Sequence, residues 1–271
     1  MTQPVPRTSA VERPVRDPTA PVVCEFEGVW FSYDGEPVVE DITFRVTRGE
    51  FAAVLGPNGS GKTTLLRLAL GLLRPDRGSV RLLGRPAHRF REWGRVGYVP
   101  QQVAGLTERF PATVREIVAQ GLYPGFTLTA LFRGHNHRRV AEALAQAGIE
   151  SLANRPIASL SVGQRQRALI ARAVVRQPEV LFLDEPVAGV DAAGREQFHD
   201  LITGLNREHG MTVFMISHDI GAVMREATTC ACLNRSLVFH GPPHQLTGDH
   251  LAQAYGFPVD VLLHDALHEH R

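Results

Sequence analysis

The sequence predicts an α/β fold whose central sheet is parallel and covered on both faces. Phe51 to Leu55, Val180 to Leu183 and Thr212 to Ile216 are apolar throughout, without the alternation of a half-solvated strand. Stretches of helical period lie between such runs, so strands and helices take turns along the chain. A chain of 271 residues, 44% hydrophobic and 21% charged, can also bury a large core without disulfides or metals.

Taken in order, Met1 to Pro21 is rich in Pro, Thr, Val and Arg and lacks the apolar stretch of a signal peptide. It is expected to be a disordered N-terminal extension. Val22 to Phe31 and Ile42 to Val46 alternate apolar and polar residues, as half-buried strands of an antiparallel β subdomain do. Phe51 to Leu55 is a buried strand feeding a Gly-rich loop. Thr63 to Leu73 then has helical spacing, with Gly71 and Pro75 marking its end. Ser79 to Leu83 and Arg95 to Val99 read as strands, the second stopped by Pro100.

From about 103 to 165 the pattern turns helical, at Val114 to Gly121 and Arg138 to Gly148, which predicts an inserted helical subdomain. An Arg-studded helix follows over Ser161 to Arg176, and the strands at Val180 and Thr212 return to the sheet. Residues 22–250 are thus expected to form the main domain, and 251–271 a helical, His-containing tail. No run of 18 or more apolar residues occurs, so no transmembrane helix is expected.

A net charge of +1 gives no general nucleic-acid-binding surface. Three cysteines, Cys24, Cys230 and Cys232, do not suggest a disulfide framework and fit a reduced, cytosolic setting. Cys230 and Cys232 read as small apolar residues on one strand face rather than as a soft-metal pair.

Lys62 is the only lysine, in a chain with 29 Lys and Arg residues together. A bias toward Arg that spares one position marks a place that requires a compact ammonium on a flexible stem. Lys62 lies in Gly56-Pro57-Asn58-Gly59-Ser60-Gly61-Lys62-Thr63, a full match to G-x-x-x-x-G-K-[ST] between a buried strand and a helix. The glycines let successive N–H groups face a phosphate, and the helix N-terminus adds its positive dipole end. Lys62 would reach the β- and γ-phosphates of ATP, and Thr63, with Thr64 beside it, would hold Mg²⁺. These features predict a P-loop NTPase core. Val180 to Glu185 is an apolar strand ending in two carboxylates. Asp184 is expected to hold Mg²⁺. Glu185, pointing to the opposite side of the strand end, is expected to act as general base toward the attacking water.

Leu160-Ser161-Val162-Gly163-Gln164 resembles the LSGGQ signature of ABC ATPases, with Val162 where the family has its first glycine. The phosphate loop, signature, acidic strand and a later histidine come in that family's order. Over about residues 23 to 250 the chain therefore resembles the ATP-binding subunits of ABC transporters. The resemblance implies a RecA-like core and a head-to-tail homodimer, with Ser161, Gly163 and Gln164 facing the nucleotide held by the partner copy. A β-branched Val162 is the departure from the pattern and could restrict the signature loop. By the same resemblance Tyr33 stacks on adenine, and Gln101 (with Gln102 as neighbouring alternative) approaches Mg²⁺ and the attacking water. Asp191 sits in the D-loop at the dimer interface, where Val187 replaces the usual Ser or Thr. His218 senses the γ-phosphate.

The implied partners are transmembrane permease subunits, at the cytoplasmic face of the membrane, and an extracytoplasmic substrate-binding protein. Phe110 to Val114 with Gly121, Leu233-Asn234-Arg235, Phe239-His240-Gly241, and the end around Tyr255-Gly256 resemble the ATPases of zinc/manganese importers. His264 and His268, four apart, with His270 near by, have a spacing that can chelate a divalent ion, or belong to a solvated polar tail. Importers of iron chelates or cobalamin are the nearest alternative within the family. A soluble ABC ATPase is disfavoured by the single phosphate loop and the lack of heptads. A small P-loop kinase or GTPase is disfavoured by the signature and by the absence of Asn-Lys-x-Asp. A metal-sensing module would rest on the tail alone.

Overall fold

The computed structural model describes residues 19–101, 111–122, 134–187 and 189–256. Expectations for residues 1–18, for Gln102 and Phe110, and for His264, His268 and His270 lie outside them.

Strands β1 (Val22–Tyr33) and β2 (Glu36–Thr47) form a hairpin. Its turn residues Asp34 and Gly35 have φ of 49° and 86°, the doubly positive pair that matches the twist of the flanking strands. Strand β3 (Phe51–Leu55) leads into helix α1 (Lys62–Ala69). The helix stops short of the expected Leu73 because Gly71 turns left-handed, with φ of 63°. A Cβ there would lie 2.3 Å from the Ala87 carbonyl oxygen. Strands β4 (Arg77–Leu82) and β5 (Arg85–Pro86) complete a four-stranded antiparallel sheet in the order β2-β1-β4-β5.

The second sheet takes β6 (Val96–Val99), β7 (Val180–Asp184), β8 (Thr212–Ile216), β9 (Thr229–Asn234) and β10 (Ser236–Gly241). Its order is β10-β9-β3-β8-β7-β6, parallel throughout except for the antiparallel edge strand β10. Alternate residues of the apolar strands feed two cores. Phe51, Ala53, Leu55, Leu181, Leu183, Val213 and Met215 enter one, and Ala52, Val54, Val180, Phe182, Phe214 and Ile216 enter the other. Each face is therefore dry, which is why these strands show no polar alternation in the sequence. The antiparallel sheet and α1 cover one face; the remaining helices cover the other.

Helix α2 (Val114–Gln120) opens with a capping box in which Thr113 and Glu116 satisfy each other's backbone N–H groups. Helix α3 (Gly134–Gln146) and α2 both pack on α4 (Val162–Val174), in the stretch where the sequence shows helical period. Helices α5 (Ala192–His209) and α6 (Ile220–Glu226) are additional to the expected elements. Gly194 and Gly204 dilute the α5 pattern, and its fully buried apolar stripe is thin: Phe198, Ile202 and Leu205. Helix α7 (Gly248–Tyr255) closes the described chain on β9 and β10. Cys230 and Cys232 are buried in one core cluster, on one face of β9 as expected. Burial pushes their thiols up, to about 12 and about 11, so they pack as neutral side chains.

Candidate functional site

The parallel register lines up the strand ends that carry the predicted residues. Val54, Ile216 and Asp184 stand level on β3, β8 and β7, and Val99 pairs with Leu183 one step below. The turns that follow β3, β6, β7 and β8 therefore open at one edge of the sheet, the carboxyl edge where open α/β sheets bind ligands. On them lie the Gly56–Thr63 loop, Gln101, the Asp184-Glu185 pair and His218.

In the loop, Asn58 and Gly59 are exposed, whereas Gly56, Ser60, Gly61, Lys62 and Thr64 are buried. Gly56 and Gly61 cannot be replaced by a residue with a side chain. A Cβ on Gly56 would lie 2.2 Å from the Leu233 carbonyl oxygen, and one on Gly61 would lie 2.6 Å from that of Val38. Gly61, at φ 94°, is also the left-handed N-cap from which α1 springs, so the first amides of the helix face the loop's interior. The Lys62 side chain is 4% exposed, and its ammonium donates to the carbonyls of Gly56 and Pro57 at 2.8 Å each. Burial lowers its pKa, and the carboxylates of Glu185 and then Asp184 oppose that shift. An arriving phosphate offers it charge-assisted bonds in place of neutral carbonyls.

Asp184 is buried at the end of β7 and accepts a bond of 3.2 Å from the Thr63 hydroxyl. Burial raises its pKa, and the Thr63 bond pulls the other way. A buried carboxylate beside a hydroxyl is a pair of hard oxygen donors, which suits Mg²⁺.

Glu185 departs from the expected orientation. Strict alternation would turn it away from Asp184's side of the strand end, but its φ is +43°, in the left-handed region. Its N–H still pairs with the Ile216 carbonyl at 3.2 Å, and the carboxylate is turned back over the loop. There it lies 3.9 Å from the Lys62 ammonium and 3.9 Å from His218 Nδ1, and accepts a 3.0 Å bond from the Gln101 amide. A non-glycine residue held left-handed costs about 1–2 kcal/mol. Such strain collects at functional sites. His218 is held between the end of β8 and α6, where the Asp219 carboxylate caps Ala222 N–H at 2.9 Å, and its ring is 59% exposed.

Tyr33 stands at the exposed end of β1, edge-on to Phe31 with ring centroids 4.8 Å apart. Ser161, Gly163, Gln164 and Asp191 form a separate group lining an open hollow between α4 and α5. The Ser161 hydroxyl accepts from the Gln164 N–H at 3.3 Å, and the Gln164 side-chain oxygen accepts from the Ser161 N–H at 3.1 Å. The hydroxyl's own hydrogen stays available to donate outward. Val162 takes the first position of α4 and is not among the residues with positive φ. Its side chain is 46% exposed beside that hollow. Asp191 caps α5 through a 2.8 Å bond from the Gly194 N–H, and Val187 is buried in the core, where a hydroxyl would need a partner.

Residues not singled out as site residues in the sequence also adjoin the site. The Arg235 N–H bonds the Ser60 carbonyl at 3.2 Å, and the Tyr98 phenol is raised by burial and by the Asp184 carboxylate.

A phosphate loop on a strand-to-helix turn, with an acidic strand two positions away in a parallel sheet, defines a P-loop nucleotide-binding protein. The model of the ABC transporter family matches residues 39–188. The zinc uptake system ATP-binding protein ZurA of Listeria innocua is 38% identical over 82% of this chain and 87% of its own length. The zinc import ATP-binding protein ZnuC of Pseudomonas fluorescens is 41% identical over 82% and 78%. Among solved structures, an ABC transporter in an inward-facing conformation superposes with a TM-score of 0.77 and 30% identity, over 88% of this chain and 90% of the other. The cbiO1 protein of Clostridium perfringens, part of the transporter complex cbiONQ, gives 0.73 and 29%, over 83% and 90%. The chain belongs to the ABC transporter family, as one of its ATP-binding, ATP-hydrolysing members.

Proposed function

We propose that this chain is the ATPase subunit of an importer of a divalent metal cation, zinc or manganese. The placement of Glu185 carries the catalytic part of this reading: one carboxylate lies between the loop lysine, the Gln101 amide and His218. In hydrolysis the Glu185 carboxylate takes a proton from the attacking water, whose oxygen bonds to the γ-phosphorus as the bond to ADP breaks. Lys62 and the loop amides hold the β- and γ-phosphates, Tyr33 stacks on the adenine, Gln101 orients the attacking water, and His218 contacts the γ-phosphate. Thr63 and Asp184, with the Gln101 amide oxygen, would hold Mg²⁺. A magnesium ion held there would offset the negative charge of the phosphate oxygens.

Ser161, Gly163, Gln164 and Asp191 line their own hollow, which supports their serving a nucleotide held by a second copy. ATP binding would close two copies head to tail, and hydrolysis would reopen them. Among the described residues no helix is long and apolar enough to cross a membrane. The relatives are named as ATP-binding proteins of zinc uptake and import, which supports separate permease subunits, with this chain peripheral on their cytoplasmic side. A substrate-binding protein outside the membrane would deliver the cation. The zinc-uptake names of the relatives support the cargo class and do not favour iron chelates or cobalamin. The residue assignments are tested with Glu185→Gln, which should lower ATP turnover by about 10²- to 10⁴-fold while ATP still binds. Near-normal turnover rejects them. The cargo is tested by deleting the gene under metal limitation, where unchanged cellular zinc and manganese would reject import of either.

A further inference from the structure

The His218 ring is 59% exposed and stands 3.9 Å from Glu185, too far for a hydrogen bond, so its position follows from the backbone on either side. Upstream that backbone is anchored on the sheet. The Ser217 N–H bonds the Val54 carbonyl at 3.1 Å, and the Ser217 hydroxyl accepts from the Asp219 N–H at 3.0 Å. Downstream it runs into α6, a rod of seven residues about 10 Å long. Ile220, Ala222 and Val223 bury one side of this rod. Apolar contacts are non-directional, and do not by themselves fix how far a short helix slides or turns.

A directional contact sits at the far end. Glu226, the last residue of α6, accepts a 2.7 Å bond from Nδ1 of His199 on α5, and the two side chains are only 12% and 8% exposed. A carboxylate in the last turn of a helix faces the negative end of the dipole, so α6 alone gives no reason for one there. Packing gives none either. The His199 Nε2 is buried without a hydrogen-bond partner, a penalty that an apolar side chain would avoid. Apolar residues of similar volume in place of a buried pair are often as stable or more so. What this pair adds is a fixed distance and direction between two helices.

Helix α5 is a firm base for it. Buried Asn206 donates to the carbonyl of Gly49, just before β3, at 2.9 Å and to that of Met211 at 2.7 Å. Asp191 caps the front of the helix, and the Gln197 side chain accepts from Arg167 on α4. His199 lies between these anchors.

We infer that His199 and Glu226 are positioning residues for hydrolysis: their bond pins the far end of α6 to α5 and so sets where His218 stands relative to the γ-phosphate. The inference rests on the reading of His218 given above.

The test replaces both partners at once, His199→Leu with Glu226→Met in the full-length chain, which keeps the packed volume and removes the bond. The melting temperature of the nucleotide-free protein should fall by no more than about 2 °C. The kcat for ATP should nevertheless drop about 3- to 10-fold, the yield of one hydrogen bond. The dissociation constant for ATP with magnesium should stay within about 2-fold, because Lys62 and the phosphate loop hang on β3 and α1. Glu226→Gln keeps an acceptor for the ring N–H and should hold kcat within about 2-fold of the parent. Glu226→Ala, a truncation at the very end of α6, gives the same reading if the double variant folds poorly, with a kcat drop of at least about 3-fold. A kcat within about 2-fold of the parent in the variants that lack the bond overturns the inference, since packing alone would then place His218. So does a loss of ATP affinity in step with kcat. His218→Ala run alongside separates the two readings. If it hydrolyses ATP normally, the assignment of the histidine itself fails. If it loses turnover while the double variant does not, only the pair's role falls.

Discussion

Lys62→Arg isolates the question raised by a chain that uses arginine everywhere else. The change keeps the positive charge and alters only its shape. In the structure the ammonium sits in a closed pocket, with its side chain 4% exposed and two carbonyls at 2.8 Å. The walls cannot retreat freely, because the Gly56 backbone already stands against Leu233 and that of Gly61 against Val38. Forcing a larger side chain into such a pocket costs about 1–3 kcal/mol. A guanidinium also brings five N–H donors, and each one left buried without an acceptor costs about 1–3 kcal/mol. With one such donor the total is about 2–6 kcal/mol, which at about 1.4 kcal/mol per factor of ten lowers ATP affinity about 30- to 10⁴-fold. Calorimetric titration with ATP and magnesium measures this, with circular dichroism as the check on folding. ATP affinity within about 3-fold of the parent would refute the reasoning, since charge alone would then suffice at this position.

Two further outcomes follow from the same geometry. Burial raises the pKa of Asp184, so between its unfolded and folded values the folded chain holds more protons, and stability falls as pH rises through that window. Asp184→Asn should therefore raise the melting temperature of the nucleotide-free protein at neutral pH and flatten its acid-side dependence, while abolishing magnesium-dependent hydrolysis; a lower melting temperature at pH 7 would contradict this. Asp191→Ala removes the cap of α5 and should lower unfolding stability by about 0.5–2 kcal/mol in urea titrations; an unchanged midpoint would mean that the Gly194 N–H is satisfied without it.

Much of the fold was legible because it is written in short, contiguous segments. The buried strands are apolar without interruption, so β3 and β8 begin and end where the apolar runs do. The phosphate loop is eight consecutive residues, and its chemistry is carried by glycine freedom and one lysine. Helix α5 was less legible, because its apolar stripe is thin and two glycines interrupt it. The orientation of Glu185 was not legible either. Alternation along a strand predicts one side, but the left-handed turn at Glu185 returns the carboxylate to the loop.

By itself, then, the sequence determined the kind of sheet, the phosphate loop, the acidic strand end and the family, because each depends on residues adjacent in the chain. Tertiary structure alone decided how the site is braced. Arg235 meets Ser60, and Gln101 meets Glu185, only because the sheet order sets their strands beside one another. Local patterns fix which face a residue presents. Which distant segment packs against that face depends on the whole core closing together.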